Sequence, residues 1–345
     1  MTKILLIGGA GYVGSVLTEE LLERGYSVKI FDRFYFGDRG LEKHRDRVEV
    51  IRGDMRQLKA TVLDDVGTVV NIGGLSNDPT AEYNPKANFE MNTQATELSA
   101  ELCKKAGIRR YILASSCSIY DVGVKEEEKD VVIDETMPVA PKAAYSSSKY
   151  QAERILLSLM DKDFAPVILR KATIYGFSYR MRYDLVVNTF VKDALTKGYL
   201  TPYFGGEMWR PLVDIRDAAK AYIACIEADE ARVKGEIFNV VYRNFRISEV
   251  ALRVRSALKS AGVDVDIHPD YRYKGVRSYR VSGDKIKERL AFAPEISIED
   301  SVADMVEKIR GCDLTNFDDP VYYNISWMKT LEKADEIIRV TGKIF

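Results

Sequence analysis

The sequence contains few of the residues that bind metal ions or build disulfide frameworks. It has 2 histidines and 4 cysteines among 345 residues. The cysteines are widely separated and form no CxxC pair, so we expect no zinc site. Scattered cysteines also favour a reducing compartment over a disulfide-bonded fold. These sparse residues therefore predict a cytoplasmic protein without a bound metal ion.

The chain also lacks an excess of charge and long apolar segments. Lys and Arg number 51 against 52 for Asp and Glu, which gives a formal net charge of −1. We therefore expect no nucleic-acid partner and no anionic membrane partner, and any phosphate binding must be local. No apolar segment approaches the roughly 20 residues of a membrane span, and the amino terminus has no signal-peptide pattern. Hydrophobic residues still make up 46% of the chain, which is enough for a large core.

Short apolar runs alternate with helical patterns through the first half of the chain. Runs predicted as strands are Ile4–Gly8, Ser27–Asp32, Val48–Arg52, Val66–Ile72, Arg110–Ser115 and Ala165–Leu169. Helical spacing is present at Val13–Arg24, Asn84–Ala106 and Ala143–Met160. Strands that are apolar at nearly every position and separated by helices predict a parallel sheet covered on both faces.

The predicted fold class is therefore α/β, with a doubly wound parallel sheet of the Rossmann type. We expect this domain, with the candidate catalytic residues, at residues 1–175. Residues 176–345 are predicted to form mainly a smaller C-terminal α/β substrate domain, with some segments returning to the first domain. The charge run Lys125–Asp130 is predicted to be a solvated loop.

A glycine-rich loop directly follows the first predicted strand and opens the first helix. Its glycines are Gly8, Gly11 and Gly14, with Tyr12 and Val13 between the last two. The first glycine permits a tight turn, the second lets a pyrophosphate approach the backbone, and the third permits close packing of helix on strand. The free N–H groups of the helix would then face the phosphates. The loop therefore predicts a dinucleotide site.

Acidic residues follow the second and third predicted strands. Asp32 ends the second strand, where a carboxylate binds the ribose hydroxyls and repels a 2′-phosphate, so we expect NAD rather than NADP. Arg33 beside it could instead accept a 2′-phosphate. Asp54, followed by Met55, could hold the adenine amino group, or it could be the N-cap of a helix.

Tyr145 and Lys149 are four residues apart in a predicted helix, so they share one face. A neighbouring ammonium favours the phenolate, and we expect Lys149 to lower the pKa of Tyr145 so that it works as a general base. Alone, such a pair is common on helix surfaces. Ser116, however, ends the fifth predicted strand at the sheet edge where ligands bind, and its hydroxyl could contact the same substrate oxygen.

Taken together, these motifs resemble the extended short-chain dehydrogenase/reductase family. Within it they are similar to the NAD-dependent nucleotide-sugar epimerase/dehydratase branch, which includes the UDP-glucose 4-epimerase-like enzymes. The resemblance implies NAD as cofactor and a nucleotide-diphosphate sugar as substrate. It also implies Tyr145 as base, Lys149 as its support and ribose anchor, and Ser116 as a hydrogen-bonding partner. Family members often form homodimers through the helices at Tyr145 and Asn92–Ala106, so we expect a homodimer.

The resemblance assigns further residues to both ligands. Beside the cofactor it places Ile72, Gly73, Gly74 and Asn92. On the substrate side it places Ser76, Ser118 and Thr173, with Arg210 and Arg280 on the diphosphate. Asp184 stands where relatives often have an asparagine facing the diphosphate, so this contact is open, and Arg180 and Arg182 could compensate for its charge.

The expected reaction begins with oxidation at the sugar C4. Return of the same hydride to the opposite face would give 4-epimerisation, which needs no extra acid or base, and this is the first interpretation. A 4,6-dehydratase would need an Asp-Glu pair where Cys117 and Ser118 stand, and no carboxylate-recognition motif indicates a decarboxylase. Alternatively, Cys117 could invert a carbon next to the ketone as acid/base, or the protein could be a 4-reductase. A non-catalytic dinucleotide-binding protein is a remote alternative, because the Tyr/Lys/Ser set is intact.

Overall fold

A parallel sheet organises the first half of the chain. The computed structural model describes residues 3–120, 131–272, 277–312 and 314–344, so the predicted loop Lys125–Asp130 lies outside the described residues. The strands are β1 (Lys3–Ile7), β2 (Val28–Asp32), β3 (Val48–Arg52), β4 (Val66–Asn71), β5 (Arg110–Ser116), β6 (Val132–Ile133), β7 (Ala165–Lys171), β8 (Thr173–Tyr175), β9 (Tyr199–Leu200), β10 (Trp209–Asp214), β11 (Ile237–Val240), β12 (Arg243–Arg246), β13 (Asp266–Ile267) and β14 (Arg280–Val281).

The main sheet has seven strands in the order β11-β7-β5-β4-β1-β2-β3. All of its neighbouring strands pair in parallel. From β1 the chain continues through β2 and β3 to one edge of the sheet. From β4 it continues through β5, β7 and β11 to the other edge. The carboxyl ends of β1 and β4 therefore flank the point where the direction of winding reverses. Ligands of doubly wound sheets bind at this place. The predicted fold class is confirmed.

Helices connect the strands and cover the sheet. They are α1 (Tyr12–Glu23), α2 (Asp78–Tyr83), α3 (Pro85–Phe89), α4 (Ala95–Lys105), α5 (Ala144–Ser158), α6 (Val186–Lys197), α7 (Ile215–Glu227), α8 (Glu230–Val233), α9 (Ile247–Ser260), α10 (Asp284–Leu290), α11 (Ile298–Gly311) and α12 (Asn324–Thr341). Short 3₁₀ helices lie at Arg39–Arg47, Met55–Gln57, Ala60–Leu63, Cys117–Tyr120, Phe204–Gly206 and Pro320–Tyr322. No helix within the described ranges is long and apolar enough to span a bilayer.

The helix predicted at Asn84–Ala106 contains an irregularity that its spacing did not reveal. A π-helical turn at Glu90–Gln94 separates α3 from α4. Such turns insert one extra residue into a helix and are frequent at functional sites. Here the turn contains Asn92, whose contacts are described below.

Alternate residues of each strand point to opposite faces of the main sheet. Ile4 and Leu6 join a hydrophobic cluster that also contains residues of α1 and α7. Leu5 and Ile7 join another cluster, with residues of α4 and α5. The central strands of the sheet are therefore buried on both faces, which leaves their carboxyl ends open to a ligand.

A second lobe is built around a third hydrophobic cluster. Its residues come mainly from α6, α9 and α11 and from the sheet of order β12-β10-β8. We call this the second lobe, and the part that packs on the main sheet the first lobe. The hydroxyl of Tyr12, at the start of α1, donates to the carbonyl oxygen of Gly176 at 2.6 Å, which joins the two lobes. Although β11 follows residue 175 in the chain, it forms the edge of the main sheet.

Candidate active site

A cleft of about 370 Å³ lies between the lobes at the carboxyl ends of the main-sheet strands. It is lined by most of the residues that the sequence singled out: Gly8, Gly11, Tyr12, Val13, Gly14, Asp32, Arg33, Asp54, Met55, Ile72, Gly73, Gly74, Ser76, Ser116, Ser118, Tyr145, Lys149, Thr173 and Arg210. Three predicted site residues are not among its lining residues: Asn92, Cys117 and Arg280. The cleft is also lined by charged and aromatic residues that the sequence did not single out, among them Asp78, Lys171, Arg277 and Tyr279.

The glycine loop forms a narrow cradle at one end of the cleft. Gly8 has a φ of +86°, and a Cβ at this position would lie 2.6 Å from the backbone of Gly73. A Cβ on Gly14 would lie 2.6 Å from the carbonyl oxygen of Gly8. Helix α1 begins with Gly11 as its N-cap and has no side-chain cap there. The cradle thus admits no side chain and presents N–H groups, which fits a pyrophosphate.

Asp32 is held in place by the backbone around it. Its carboxylate accepts hydrogen bonds from the N–H groups of Ala10 at 3.0 Å and Phe34 at 2.7 Å. Burial raises the pKa of Asp32, although these hydrogen bonds oppose the shift. Each carboxylate oxygen has a second lone pair, so the group remains able to accept bonds from ribose hydroxyls at the end of β2.

Arg33 and Asp54 form an ion pair across the mouth of the adenosine end. Arg33 Nη1 lies 2.7 Å from Asp54 Oδ2, and its guanidinium stacks 4.2 Å from the ring centroid of Tyr35. Asp54 also accepts from the N–H of Arg56 at 2.9 Å and so caps the short helix Met55–Gln57. Burial acts to raise the pKa of Asp54, but bonds from Arg56 outweigh it and hold this pKa below its usual value. The helix-cap interpretation of Asp54 is thus correct, and the residue also lines the cleft.

Asn92 lies behind the cleft wall and supports it. Its amide donates to Leu75 O at 2.9 Å, to Asn88 Oδ1 at 2.7 Å and to Ser148 Oγ at 3.2 Å. Gly74, with a φ of +121°, leaves the space for this side chain, since a Cβ there would lie 2.0 Å from Asn92 Oδ1. Asn92 therefore joins the π-helical turn, the loop after β4 and helix α5.

Tyr145 and Ser116 meet at the end of the cleft where the sequence predicted the sugar, here called the sugar end. Tyr145 lies in the first turn of α5, Ser116 ends β5, and their side chains are hydrogen-bonded. Ser115 instead donates to the buried carboxylate of Glu153 on α5. Glu153 also forms a buried ion pair with Arg170 of β7 at 2.6 Å. This buried network fixes α5 against β5 and β7, and it leaves Ser116 as the serine beside Tyr145.

The expected effect of Lys149 on Tyr145 is not what the structure shows. Burial, followed by the charge of Asp78, raises the pKa of Tyr145 to about 12, against smaller lowering effects of the Ser116 hydrogen bond and Arg182. Lys149 Nζ lies 6.0 Å from the centroid of the Tyr145 ring. Burial lowers the pKa of Lys149 itself to about 8, opposed by Glu153. Tyr145 and Lys149 share a helix face as predicted, but burial has the largest effect on the pKa of each.

Cys117 and Ser118, which follow Ser116, point in different directions. The Cys117 thiol is buried and donates to the carbonyl oxygen of Arg170 at 3.1 Å. Burial also raises the pKa of this thiol. Ser118 lines the cleft, and its buried hydroxyl has no hydrogen-bond partner among the described residues. The structure therefore brings Ser118, but not Cys117, to the site.

The phosphate end differs from the expectation at one arginine. Arg210 lines the cleft, as predicted. Arg280 is in β14, where its guanidinium lies 5.2 Å from the centroid of the Trp209 ring. Arg277, three residues earlier, lines the cleft instead and forms a two-point ion pair with Asp78 at 2.8 and 2.9 Å. Its backbone carbonyl also accepts from Arg210, so these two arginines are adjacent.

Arg182 neutralises Asp184, as the sequence suggested. Arg182 donates to the two oxygens of Asp184 at 2.8 and 3.0 Å, and to Ser76 Oγ at 3.2 Å. Arg180 donates to Asn324 Oδ1 at 2.6 Å, and its guanidinium stacks 3.6 Å from the ring centroid of Phe36. Both arginines line the cleft, whereas Asp184 does not.

Comparisons with known proteins agree with this geometry. The family model described as "NAD dependent epimerase/dehydratase family" matches residues 4–240. UDP-glucuronic acid decarboxylase 1 of Xenopus tropicalis is 27% identical over 231 residues, which cover 66% of this chain and 54% of that protein. The chain thus spans about half the length of this curated relative. UDP-N-acetyl-alpha-D-glucosaminuronate decarboxylase of Bacillus cytotoxicus is 25% identical over 325 residues, covering 89% of this chain and 98% of the relative.

Solved structures show the same fold. UDP-glucuronic acid 4-epimerase from Bacillus cereus, in complex with UDP-glucuronic acid and NAD, has a TM-score of 0.78 and 22% identity. The match covers 90% of this chain and 99% of that one. Its arrangement of sheet and second lobe is therefore shared by the present protein.

Proposed function

The chain belongs to the NAD dependent epimerase/dehydratase family, and from this premise we propose that it is a nucleotide-sugar 4-epimerase. It would oxidise the sugar at C4 and then reduce the ketone on its opposite face. The observation that carries the proposal is the hydrogen-bonded pair of Tyr145 and Ser116 at the carboxyl end of β5, the strand next to β4. The two following positions hold a buried thiol and a hydroxyl rather than carboxylic acids, so this segment offers no acid for the loss of water.

The first lobe fits the dinucleotide. The glycine cradle would take the pyrophosphate, Asp32 the adenosine ribose, and Lys149 the nicotinamide ribose. A 2′-phosphate would meet the Asp32 carboxylate, while Arg33 is held by Asp54, which supports NAD over NADP. NAD, when bound, supplies the hydride acceptor and donor beside Tyr145.

The sugar end fits a nucleotide-diphosphate sugar. Arg210 and Arg277 are adjacent guanidinium groups, which suit two phosphates because each can bind bidentately. Tyr145 accepts the proton of the C4 hydroxyl as the hydride leaves C4, and Ser116 donates a hydrogen bond to the same oxygen. The positive charge of an oxidised nicotinamide lowers the pKa of a nearby phenol, which opposes the effect of burial on Tyr145. After the ketone has rotated so that its opposite face receives the hydride, Tyr145 returns the proton to the C4 oxygen.

Decarboxylation after the same oxidation is the second candidate. The names of two similar relatives support it, since both are decarboxylases of nucleotide-linked sugar acids. The two candidates share the C4 ketone and differ only in whether carbon dioxide is lost.

A panel of nucleotide sugars tests the proposal. The purified enzyme should convert one of them to its C4 epimer with unchanged mass, as read by NMR and mass spectrometry. Tyr145→Phe should lower kcat by at least roughly 10³-fold, because it removes the group to which the transfer of the hydroxyl proton is assigned. The variant should still bind NAD, so calorimetry with NAD is the matched control. Turnover that survives this substitution would contradict the assigned base.

A further inference from the structure

Lys171 is a cleft residue that the reaction described above does not use. It is the last residue of β7, and its Cα pairs with that of Ser116 on β5. Neighbouring strands lie about 4.8 Å apart, so Lys171 is beside the serine that contacts Tyr145. Its ammonium donates to the hydroxyl of Tyr222 at 2.8 Å. Lys171 also lines the cleft together with Tyr145 and Ser116, which places it at the sugar end.

The positive charge of Lys171 has no carboxylate to balance it among the described residues. Tyr222, its hydrogen-bond partner there, is neutral. Burial and the charge of Lys149 lower the pKa of Lys171 to about 7, and only the thiol of Cys117 acts in the opposite direction. By contrast, Arg33, Arg182 and Arg277 of the same cleft all form ion pairs with aspartates. A partly buried cation without a counter-ion is unfavourable, and an incoming anion would relieve it.

We propose that Lys171 binds a carboxylate carried by the sugar, so that the substrate is a nucleotide-linked uronic acid. The inference rests on the proposed function, because it assumes that the sugar C4 lies at Tyr145 and Ser116. The diphosphate is accounted for by Arg210 and Arg277 at the other end of the substrate. A carboxylate on C5 is close to C4 in the ring, and so within the part of the cleft where Lys171 lies.

The ion pair would also influence the fate of the intermediate. Oxidation of a uronic acid at C4 produces a ketone in the β position to the carboxylate, from which carbon dioxide can depart as the electron pair moves into the ketone. An ammonium that pairs with the carboxylate stabilises its charge, which is lost when carbon dioxide leaves. Lys171 therefore favours return of the hydride with the carboxylate intact, as 4-epimerisation requires.

The test compares UDP-glucuronic acid with UDP-glucose as probes. The ratio of their kcat/KM values should fall by about 10- to 100-fold in Lys171→Met, as expected for loss of a hydrogen bond to a charged group. Lys171→Arg should keep a ratio closer to that of the unchanged enzyme, because it retains the cation. Lys29→Met is the matched control. Lys29 is a buried lysine that lies outside the cleft lining, where it bonds to Val62 O and Asp64 O and pairs with Glu49.

The pH profile gives a second readout with a defined sign. Lys171 must be protonated to hold a carboxylate, so kcat/KM for UDP-glucuronic acid should fall as pH rises through about 7. The profile of UDP-glucose should lack this limb, and Lys171→Met should abolish the difference. The proposal would be overturned if the ratio of kcat/KM for UDP-glucuronic acid to that for UDP-glucose were unchanged in Lys171→Met, with both values falling equally or not at all.

Binding separates this proposal from the proposed function. In a Tyr145→Phe background, calorimetry with each probe measures recognition without turnover. Tighter binding of UDP-glucuronic acid that disappears when Lys171→Met is added supports the inference. Absence of any C4 inversion by the unchanged enzyme would contradict the proposed function alone. Equal binding of the two probes in the Tyr145→Phe background would contradict the inference alone.

Discussion

At the scale of single residues, burial decides which groups of the site can do chemistry. Tyr145, Lys149 and Lys171 all have pKa values shifted mainly by removal from water. For a phenol burial raises the pKa, and for an ammonium it lowers it, because the charged form is disfavoured in each case. At this end of the cleft, burial therefore brings the pKa values of the two lysines closer to neutral pH and keeps the Tyr145 phenol protonated.

The sequence suggested an acid/base role for Cys117, but the position of its side chain does not support that role. We predict that Cys117→Ala keeps kcat within about threefold, because the thiol bonds to the carbonyl of Arg170 and does not line the cleft. Loss of a small buried side chain should cost about 1 kcal/mol of stability. Steady-state kinetics and thermal unfolding measure both. Ser118→Ala is the comparison within the cleft, and a larger loss of kcat in Cys117→Ala than in Ser118→Ala would restore the acid/base hypothesis.

At the scale of secondary-structure elements, the loop after β4 depends on its contact with the π-helical turn. Gly74→Ala would place a Cβ 2.0 Å from Asn92 Oδ1 at a φ of +121°. We predict a loss of stability of about 2–4 kcal/mol and weaker NAD binding, because the loop must move away from the π-helical turn. Chemical denaturation and calorimetry with NAD provide the two measurements.

Gly107 offers the matched control for this substitution. It also has a positive φ, +74°, but a Cβ there would meet no atom within 4 Å. Gly107→Ala should therefore cost only about 1 kcal/mol, from the left-handed backbone alone, and should leave NAD affinity unchanged. Equal effects of the two substitutions would show that the contact with Asn92 does not hold the loop.

The elements that could be predicted from sequence are those encoded locally. Strand β3 has the predicted bounds, and the glycine loop lies between β1 and α1 as its spacing indicated. The direction of a side chain depends instead on distant partners. Arg280 was chosen from a motif, but the pairing of β14 with β6 directs it to Trp209 and leaves Arg277 facing the cleft. Lys171 was not recognised because only the fold places it beside Ser116.

At the scale of the whole molecule, the cleft is closed by contacts between the lobes. Asp78 of α2 pairs with Arg277, whose carbonyl oxygen accepts a hydrogen bond from Arg210 of β10 in the second lobe. If Arg277 binds the diphosphate, Arg277→Met should raise KM for a nucleotide sugar by about 10- to 100-fold. NAD affinity should not change, because the glycine cradle is in the first lobe.

Arg253 provides the control for this prediction. It is ion-paired to Glu249 and Glu299 in the second lobe and does not line the cleft. Arg253→Met should leave KM unchanged while removing a comparable surface ion pair. A rise in KM in both variants would indicate a general disturbance of the second lobe rather than a lost phosphate contact.

The homodimer stays a prediction. Leu98 and Leu102 of α4 and Ile155 of α5 are only partly buried, whereas Leu156 is fully buried in the core. Light scattering of the purified protein measures the assembly directly. A monomer at micromolar concentration would contradict the expectation.

The central claim is that one hydride leaves C4 and returns to it within the active site. The most direct test is turnover in heavy water of a nucleotide sugar that carries deuterium at C4, with the product analysed by NMR and mass spectrometry. We predict that the inverted product keeps its deuterium at C4 and acquires none at carbon from solvent. Loss of the C4 deuterium, solvent deuterium at a carbon next to C4, or loss of water or carbon dioxide would contradict this mechanism.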